Sequence, residues 1–164
     1  MDMKGKNVIV TGSTDGIGLE TAKTLAAAGG NVIIHGRSAD KGKRAAAAIK
    51  LDVPAAQVTF VQANFASLQD VRSMAEQINQ LLPHIDVLVN NAGASATAQL
   101  SKSEDGHELT LAVNHLAPFL LTNLLVDKLK ASPSGRVVNV SSVGHKTVSY
   151  THLTLPTISL VWIS

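Results

Sequence analysis

The sequence predicts an α/β fold in which helices cover both faces of a parallel sheet. Short apolar runs alternate with longer helix-like segments along the chain, an alternation typical of right-handed βαβ units. A glycine-rich stretch at positions 11–18 separates the first apolar run from the first helical segment. With 164 residues, 45% of them hydrophobic and 16% charged, the chain is long enough for one domain with its own core.

The first three strand–helix pairs are bounded by glycine, proline and capping residues. Gly29-Gly30 ends the first helix and Pro54 closes the second. Ser67 caps the third helix, which stops at Pro83. The predicted elements are strand Asn7 to Val10, helix Gly16 to Ala28, strand Asn31 to His35, helix Ala39 to Lys50, strand Gln57 to Gln62 and a helix from Ser67 to about Leu82.

The second half of the chain continues the alternation. A fourth strand is expected at Ile85 to Val89, followed by a loop of small residues from Ala94 to Ser103. A long helix from about Glu104 to Lys130 leads into a fifth strand, Arg136 to Val140. No repeat or internal linker interrupts this order, so one domain is predicted.

The glycine-rich stretch has the properties of a phosphate-binding turn. Gly12 permits a tight turn off the strand, Gly16 lets backbone N–H groups approach a pyrophosphate, and Gly18 allows close packing of helix on strand. The positive end of the helix dipole faces the same point. An ordinary glycine-rich connection is the alternative interpretation. The candidate dinucleotide-binding residues here are Gly12, Ser13, Thr14, Asp15, Gly16, Ile17 and Gly18.

Arg37-Ser38 follows the second strand, about 20 positions after the glycines, where nucleotide-binding sheets usually carry an acidic residue for the ribose hydroxyls. An arginine removes repulsion toward a 2′-phosphate and supplies a forked donor, which favours NADP over NAD. The alternative is that Arg37 is a solvated loop residue.

Composition excludes several other functions. The net charge is +2 with dispersed Lys and Arg, and aromatic residues make up only 3%, so a nucleic-acid surface is not expected. The absence of cysteine excludes disulfides and thiol catalysis, and no metal site is predicted, because Leu111 breaks the H-E-x-x-H pattern after His107-Glu108. No signal-like segment or run of 18 apolar residues is present, which predicts no membrane segment and is compatible with a cytoplasmic location.

Four motifs in order resemble the short-chain dehydrogenase/reductase family, and in particular its retinol-dehydrogenase-like branch. They are the TGxxxGIG stretch, Asn90-Asn91-Ala92-Gly93, the segment Glu104-Asp105-Gly106-His107-Glu108 followed by Val113-Asn114-His115-Leu116, and Val137-Val138-Asn139-Val140-Ser141-Ser142. The resemblance implies a Rossmann-type doubly wound sheet of about five strands in the order 3-2-1-4-5, incomplete at its C-terminal side. It also implies hydride transfer between NADP(H) and a carbonyl or alcohol substrate, and leaves assembly into a homo-oligomer open.

The same resemblance assigns roles to individual positions. Ser142 matches the serine that bonds the substrate oxygen, and Asn114 matches the asparagine whose carbonyl holds a water of the proton relay. Asn64, followed by Phe65, stands where the family has an adenine-binding aspartate. Asn91, Ala92 and Gly93 would line the cofactor. Because Pro118 lacks an N–H, we also expect a kinked helix and an Asn114 carbonyl without its usual partner.

The family's YxxxK motif has no counterpart in this sequence. The only tyrosine is Tyr150, position 154 is threonine, and no lysine follows Lys146. The chain as written is therefore expected to be inactive, and a non-catalytic nucleotide-binding or interaction module is the alternative function. An α/β domain without any ligand is disfavoured by the glycine turn together with Arg37.

The last residues do not match the family. The run from Val148 to Thr157 lacks a helical pattern and resembles a translated transposon-end sequencing adapter. The hypothesis is that the Rossmann domain covers residues 1–147 and that 148–164 form a non-native or disordered tail. Apolar surface on the fifth strand and on the long helix would then stay uncovered.

Overall fold

The computed structural model describes residues 2–95 and 101–142. Its strands form one parallel sheet in the order β3-β2-β1-β4-β5, which confirms the predicted order and fold class. The elements are β1 Asn7–Val10, α1 Gly16–Ala27, β2 Asn31–Gly36, α2 Ala39–Asp52, β3 Gln57–Gln62, α3 Leu68–Leu81, β4 Val87–Asn90, α4 Leu109–Leu111, a π-helical segment Ala112–Leu116, α5 Ala117–Leu124, α6 Val126–Lys130 and β5 Arg136–Asn139.

Strand β1 lies at the centre of the sheet, and its alternating side chains enter two separate cores. Ile9 pairs with Ile33 of β2 and Leu88 of β4, and all three belong to the core that packs against α3, α5 and α6. Val8 and Val10 point to the opposite face, into the core beneath α1 and α2. A strand buried on both faces needs apolar residues at every position, which explains why the run at β1 is continuous rather than alternating.

The long helix begins later than predicted. Residues 101–108 form a tight reversal in which Lys102 and Glu108 make an isolated antiparallel bridge and Gly106 adopts a φ of 85°. The Glu108 carboxylate then accepts hydrogen bonds from the N–H groups of Thr110 and Leu111, at 2.9 and 2.7 Å. The helix consequently starts at Leu109, with Glu108 as its N-cap.

The same helix departs from α-helical geometry just before Pro118, where a kink was expected. Residues Ala112–Leu116 are π-helical, and the Ala117 N–H bonds to the Ala112 carbonyl five residues earlier. Pro118 supplies no N–H, so the Asn114 carbonyl cannot receive the ordinary α-helical hydrogen bond. A second interruption, at Leu125, separates α5 from α6.

Large apolar side chains are exposed on the long helix and around the fifth strand. Phe119 of α5 is 64% exposed, and Val138 and Val140 in and after β5 are 44% and 50% exposed. Within the described ranges, no helix has the length and apolar character needed to cross a membrane. The predicted domain boundary at 147, Tyr150 and the predicted tail lie outside the described residues.

Candidate dinucleotide-binding site

The glycine turn lies at the carboxyl edge of the sheet, between the end of β1 and the start of α1. Gly12 has a φ of 62°, and a Cβ atom added to it would lie 2.7 Å from the Ala92 Cα. Both features require glycine at this position. Asp15 caps α1 by accepting a 2.8 Å hydrogen bond from the Gly16 N–H, and the Ile17 side chain on the first turn is 74% exposed.

The turn after β4 is bonded directly to the glycine turn. The Asn91 side-chain amide donates to the carbonyl oxygens of Thr11 and Gly12, at 2.8 and 3.1 Å. The Thr11 hydroxyl oxygen in return accepts from the N–H groups of Asn91 and Ala92, both at 3.0 Å. Asn91, Ala92 and, next to them, Gly93 thus share one edge of the sheet with the glycine turn.

The middle of the turn is held from inside the protein. Ser13 is fully buried, and its hydroxyl donates to the Val10 carbonyl at 2.6 Å while accepting from the His35 N–H at 2.9 Å. The Ser13 side chain therefore supports the turn from below. Thr14 packs so closely over Gly36 that a Cβ on Gly36 would lie 2.6 Å from the Thr14 Cγ2.

His35 is a residue of this site that the sequence did not single out. Its buried ring accepts a 3.1 Å hydrogen bond from the Gly12 N–H through Nδ1. Burial lowers the pKa of His35 to about 4, so the ring is neutral at physiological pH. No local pattern marks it, because its contact with Gly12 depends on the register of β2 against β1.

Arg37 is exposed at the carboxyl end of β2, and its carbonyl oxygen accepts a 3.1 Å hydrogen bond from the Gln62 side chain. Ser38, next to it, caps α2 by accepting from the Lys41 N–H at 3.3 Å. Lys41 and Arg44, which no sequence motif indicated, border a cavity of about 260 Å³ together with Thr14, Asp15 and three apolar residues of α1 and α2. Two basic residues of α2 thus lie beside the glycine turn, where the Lys41 ammonium is 3.9 Å from the Asp15 carboxylate.

Asn64 and Phe65 follow β3 and have different surroundings. The Asn64 side chain donates to the Glu104 carboxylate at 3.1 Å and accepts from the Ala66 N–H at 3.1 Å. Phe65 is 5% exposed and its ring stacks on His35, with the ring centres 4.3 Å apart. Glu104 is therefore a second neighbour of the predicted adenine side that was missed, because it is 40 residues away along the chain.

The two residues matched to catalytic positions also lie at this edge. The Asn114 side chain accepts from the Ala94 N–H at 2.7 Å and donates to the Ala94 carbonyl at 2.9 Å, which fixes the π-helical segment against the loop after β4. Ser142 is exposed and follows β5, whose end is bonded to β4 through the Val140 N–H and the Asn90 carbonyl at 3.0 Å. The structure thus brings the glycine turn, Arg37 and Asn114 to one edge of the sheet.

Comparisons with known proteins agree with this arrangement. The family model described as short chain dehydrogenase matches residues 6–154. "Retinol dehydrogenase 13" of Homo sapiens is 44% identical over 141 residues, which cover 86% of this chain and 42% of that protein. "Short-chain dehydrogenase TIC 32 A, chloroplastic" of Brassica napus is 40% identical over 156 residues, covering 92% of this chain and 48% of that protein.

The solved structure titled "RhlG/NADP active-site complex", from Pseudomonas aeruginosa, superposes with a TM-score of 0.75 at 30% identity, covering 86% of this chain and 56% of that one. A putative short chain dehydrogenase from Escherichia coli CFT073, complexed with NADPH, superposes with a TM-score of 0.74 at 27% identity over 85% of this chain and 60% of that one. The chain spans somewhat less than half the length of the curated relatives named above. With the family model matching nearly the whole chain and the retinol dehydrogenases as relatives, this chain belongs to the short-chain dehydrogenase family, close to its retinol dehydrogenases.

Proposed function

We propose that this chain binds NADP(H), in preference to NAD(H), and that it corresponds to the cofactor-binding part of an oxidoreductase acting on a carbonyl or alcohol substrate. The observation that carries the proposal is the position of Arg37. It is exposed at the carboxyl end of β2, beside the glycine turn, where a carboxylate would instead bond ribose hydroxyls and repel a 2′-phosphate.

The residues present fit a dinucleotide. A Cβ on Gly12 would collide with Ala92, so the turn keeps its close approach to the neighbouring loop only with glycine. A Cβ on Gly16 would meet no atom within 4 Å, so the outer side of the turn is open to a ligand. The first turn of α1 offers N–H groups to a pyrophosphate, and Arg37 offers a charged fork to a 2′-phosphate.

When bound, the nicotinamide supplies or accepts a hydride. In the proposed reaction, Ser142 donates a hydrogen bond to the substrate oxygen, and the Asn114 carbonyl holds a water of the proton relay. The sequence offers no YxxxK pair to deliver the proton to that oxygen, so we expect the chain as written to bind cofactor without turnover. An alcohol substrate agrees with the name of the retinol dehydrogenases to which the chain is similar.

The test is a calorimetric titration of the protein with NADPH and with NADH. NADPH is expected to bind at least tenfold more tightly, and Arg37→Ala should remove most of that difference while leaving NADH affinity unchanged, because only the 2′-phosphate contact is lost. Arg72→Ala, an exposed arginine on α3, is the matched control. Equal affinities for the two cofactors, or no binding at all, would refute the proposal.

A turnover assay separates the two candidate functions. NADPH binding without oxidation in the presence of a panel of aldehydes and ketones favours a nucleotide-binding module, for which the intact turn and the missing YxxxK pair are the supporting observations. Oxidation of NADPH that Ser142→Ala abolishes would instead show that this chain catalyses the reaction by a route without that pair.

A further inference from the structure

His35 connects the carboxyl ends of three neighbouring strands. It lies near the end of β2 and is 3% exposed. Its Nδ1 accepts from the Gly12 N–H after β1, at 3.1 Å, and its Nε2 lies 3.1 Å from the Ala63 carbonyl oxygen after β3. Since Nδ1 accepts, the proton of the neutral ring must be on Nε2, which donates to Ala63.

The orientation of the ring is fixed from two further directions. Its own backbone exchanges hydrogen bonds with Ser13: the Ser13 N–H donates to the His35 carbonyl at 2.9 Å, and the His35 N–H donates to the Ser13 hydroxyl oxygen at 2.9 Å. The ring stacks on Phe65, with the ring planes 25° apart. The stacking on Phe65 and the hydrogen bond to Ala63 fix the ring so that its Nδ1 faces the Gly12 N–H.

Gly12 is one of two glycines in the turn whose backbone has a positive φ. It has no side chain and a φ of 62°, so sterics alone leave its backbone free to rotate. Asn91 binds the Gly12 carbonyl oxygen at 3.1 Å, and His35 binds the Gly12 N–H. Together the two side chains hold both polar atoms of the glycine that starts the turn.

We propose that His35 is a positioning residue for the dinucleotide: by accepting the Gly12 N–H through Nδ1, it holds the glycine turn in the conformation that receives the pyrophosphate. This inference rests on the proposed function of the site. His35 itself does not contact the ligand, because its ring is buried beneath the turn and both ring nitrogens are bonded to backbone atoms.

Two substitutions separate this role from simple support of the fold. The Oδ1 of asparagine can replace Nδ1 as the acceptor for Gly12, whereas the Nε2 of glutamine can replace the imidazole Nε2 as the donor to Ala63. Each variant therefore loses one of the two hydrogen bonds. His35→Asn should bind NADP⁺ within about threefold of the original protein, and His35→Gln should bind about tenfold more weakly. Equal losses in the two variants would overturn the proposal.

A second readout does not depend on cofactor. In the absence of ligand, amide hydrogen exchange at Gly12 should be accelerated at least tenfold in His35→Gln and little changed in His35→Asn. If the original protein fails to bind NADP⁺, the proposed function fails, while this exchange experiment still decides whether His35 holds the turn. Equal exchange rates in the two variants would refute it.

The original protein alone provides a third check, which stands even if a variant does not fold. A long-range proton–nitrogen correlation spectrum should place the His35 proton on Nε2 and show Nδ1 as an unprotonated acceptor. A proton on Nδ1 would leave no acceptor for Gly12 and would overturn the inference.

Discussion

The Asn91 side-chain amide lies 2.8 Å from the Thr11 carbonyl oxygen and 3.1 Å from that of Gly12, so one side chain from the β4 loop bonds two consecutive backbone groups of the glycine turn. Replacing Asn91 by alanine leaves both carbonyls without that donor. We expect a loss of about 1–3 kcal/mol in the free energy of unfolding, measured by urea denaturation, and weaker NADPH binding.

Asn123→Ala is the control for this loss. The Asn123 amide also donates to a backbone carbonyl, that of Phe119 at 2.8 Å, but at an exposed position. Its replacement should cost less than about 0.5 kcal/mol and leave NADPH affinity unchanged. Equal losses of stability in the two variants would contradict the prediction that the hydrogen bonds of Asn91 stabilise the fold more than that of Asn123.

Asp86 lies at the opposite, amino edge of the sheet, directly before β4, and is bonded to the start of β1 and to the loop before β5. Its buried carboxylate accepts from the Asn7 N–H at 2.8 Å and the Ser132 hydroxyl at 2.7 Å, and it pairs with Lys6 at 3.2 Å. Burial raises its pKa, but these donors together outweigh burial and hold the pKa of Asp86 below its usual value. Asp86→Asn should therefore destabilise the fold by about 1–3 kcal/mol at pH 7.

The loss of stability in Asp86→Asn should depend on pH, because folding lowers the pKa of Asp86. Since the folded protein holds the carboxylate below its unfolded pKa, the stabilisation is complete above the unfolded value of 3.8 and is lost as the pH falls through the folded pKa. Urea melts at pH 7 and pH 3 should show the difference between Asp86→Asn and the original protein shrinking in acid. If the difference in unfolding free energy between the two proteins were the same at pH 7 and pH 3, the negative charge of Asp86 would not be what stabilises the fold.

The fold was predictable because its signals are local. The continuous apolar runs at β1 and β2 predicted buried parallel strands, and Ser67, predicted as the N-cap of the third helix, is confirmed as the N-cap of α3. The error was the start of the long helix, which was predicted at about Glu104 and begins at Leu109. Residues 101–108 instead form a reversal closed by the antiparallel bridge between Lys102 and Glu108.

The candidate site was predictable only in part, for the same reason. Arg37 and Asn91 were selected because their places after predicted strands are visible in the sequence. His35 and Glu104 were missed because their partners, Gly12 and Asn64, are 23 and 40 residues away. Hydrogen bonds across neighbouring strand ends depend on the register of the sheet, which a single sequence does not display.

Protonation of His35 should destabilise the fold in mild acid. Its pKa falls from 6.5 to about 4 in the folded protein because burial disfavours the charged ring, an effect that the bond to the Ala63 carbonyl only partly offsets. The charged residues in the surrounding segments, Asp15 in the turn, Arg37 after β2 and Asp70 in α3, are not among the causes of this shift. The stabilisation of the neutral form is therefore complete above pH 6.5 and is lost progressively as the pH falls to about 4.

The size of this effect is up to about 3 kcal/mol between the two pH limits. Thermal or urea unfolding at half-unit pH steps measures it, with His35→Asn as the comparison, because asparagine does not titrate. The difference between the two proteins should change across the interval from pH 6.5 to 4. Parallel pH profiles would mean that the His35 ring is not buried in its neutral form.

Alanine substitutions at two glycines isolate the contact between the glycine turn and the β4 loop. Gly5 and Gly12 both have a positive φ, 73° and 62°, so a side chain at either position is strained. A Cβ on Gly5 meets no atom within 4 Å, whereas a Cβ on Gly12 would lie 2.7 Å from the Ala92 Cα. Gly5→Ala should therefore cost about 1–2 kcal/mol of stability from the backbone alone.

Gly12→Ala adds the displacement of Ala92 to the same backbone cost, and we expect about 1–3 kcal/mol more. Since Ala92 and Asn91 are both bonded to Thr11, that displacement also moves the turn, and NADPH affinity should fall at least tenfold in Gly12→Ala while staying unchanged in Gly5→Ala. Urea melts and NADPH titrations of the two variants provide both numbers. Equal stability losses, with cofactor binding retained in both, would show that the β4 loop yields to a side chain and does not fix the turn.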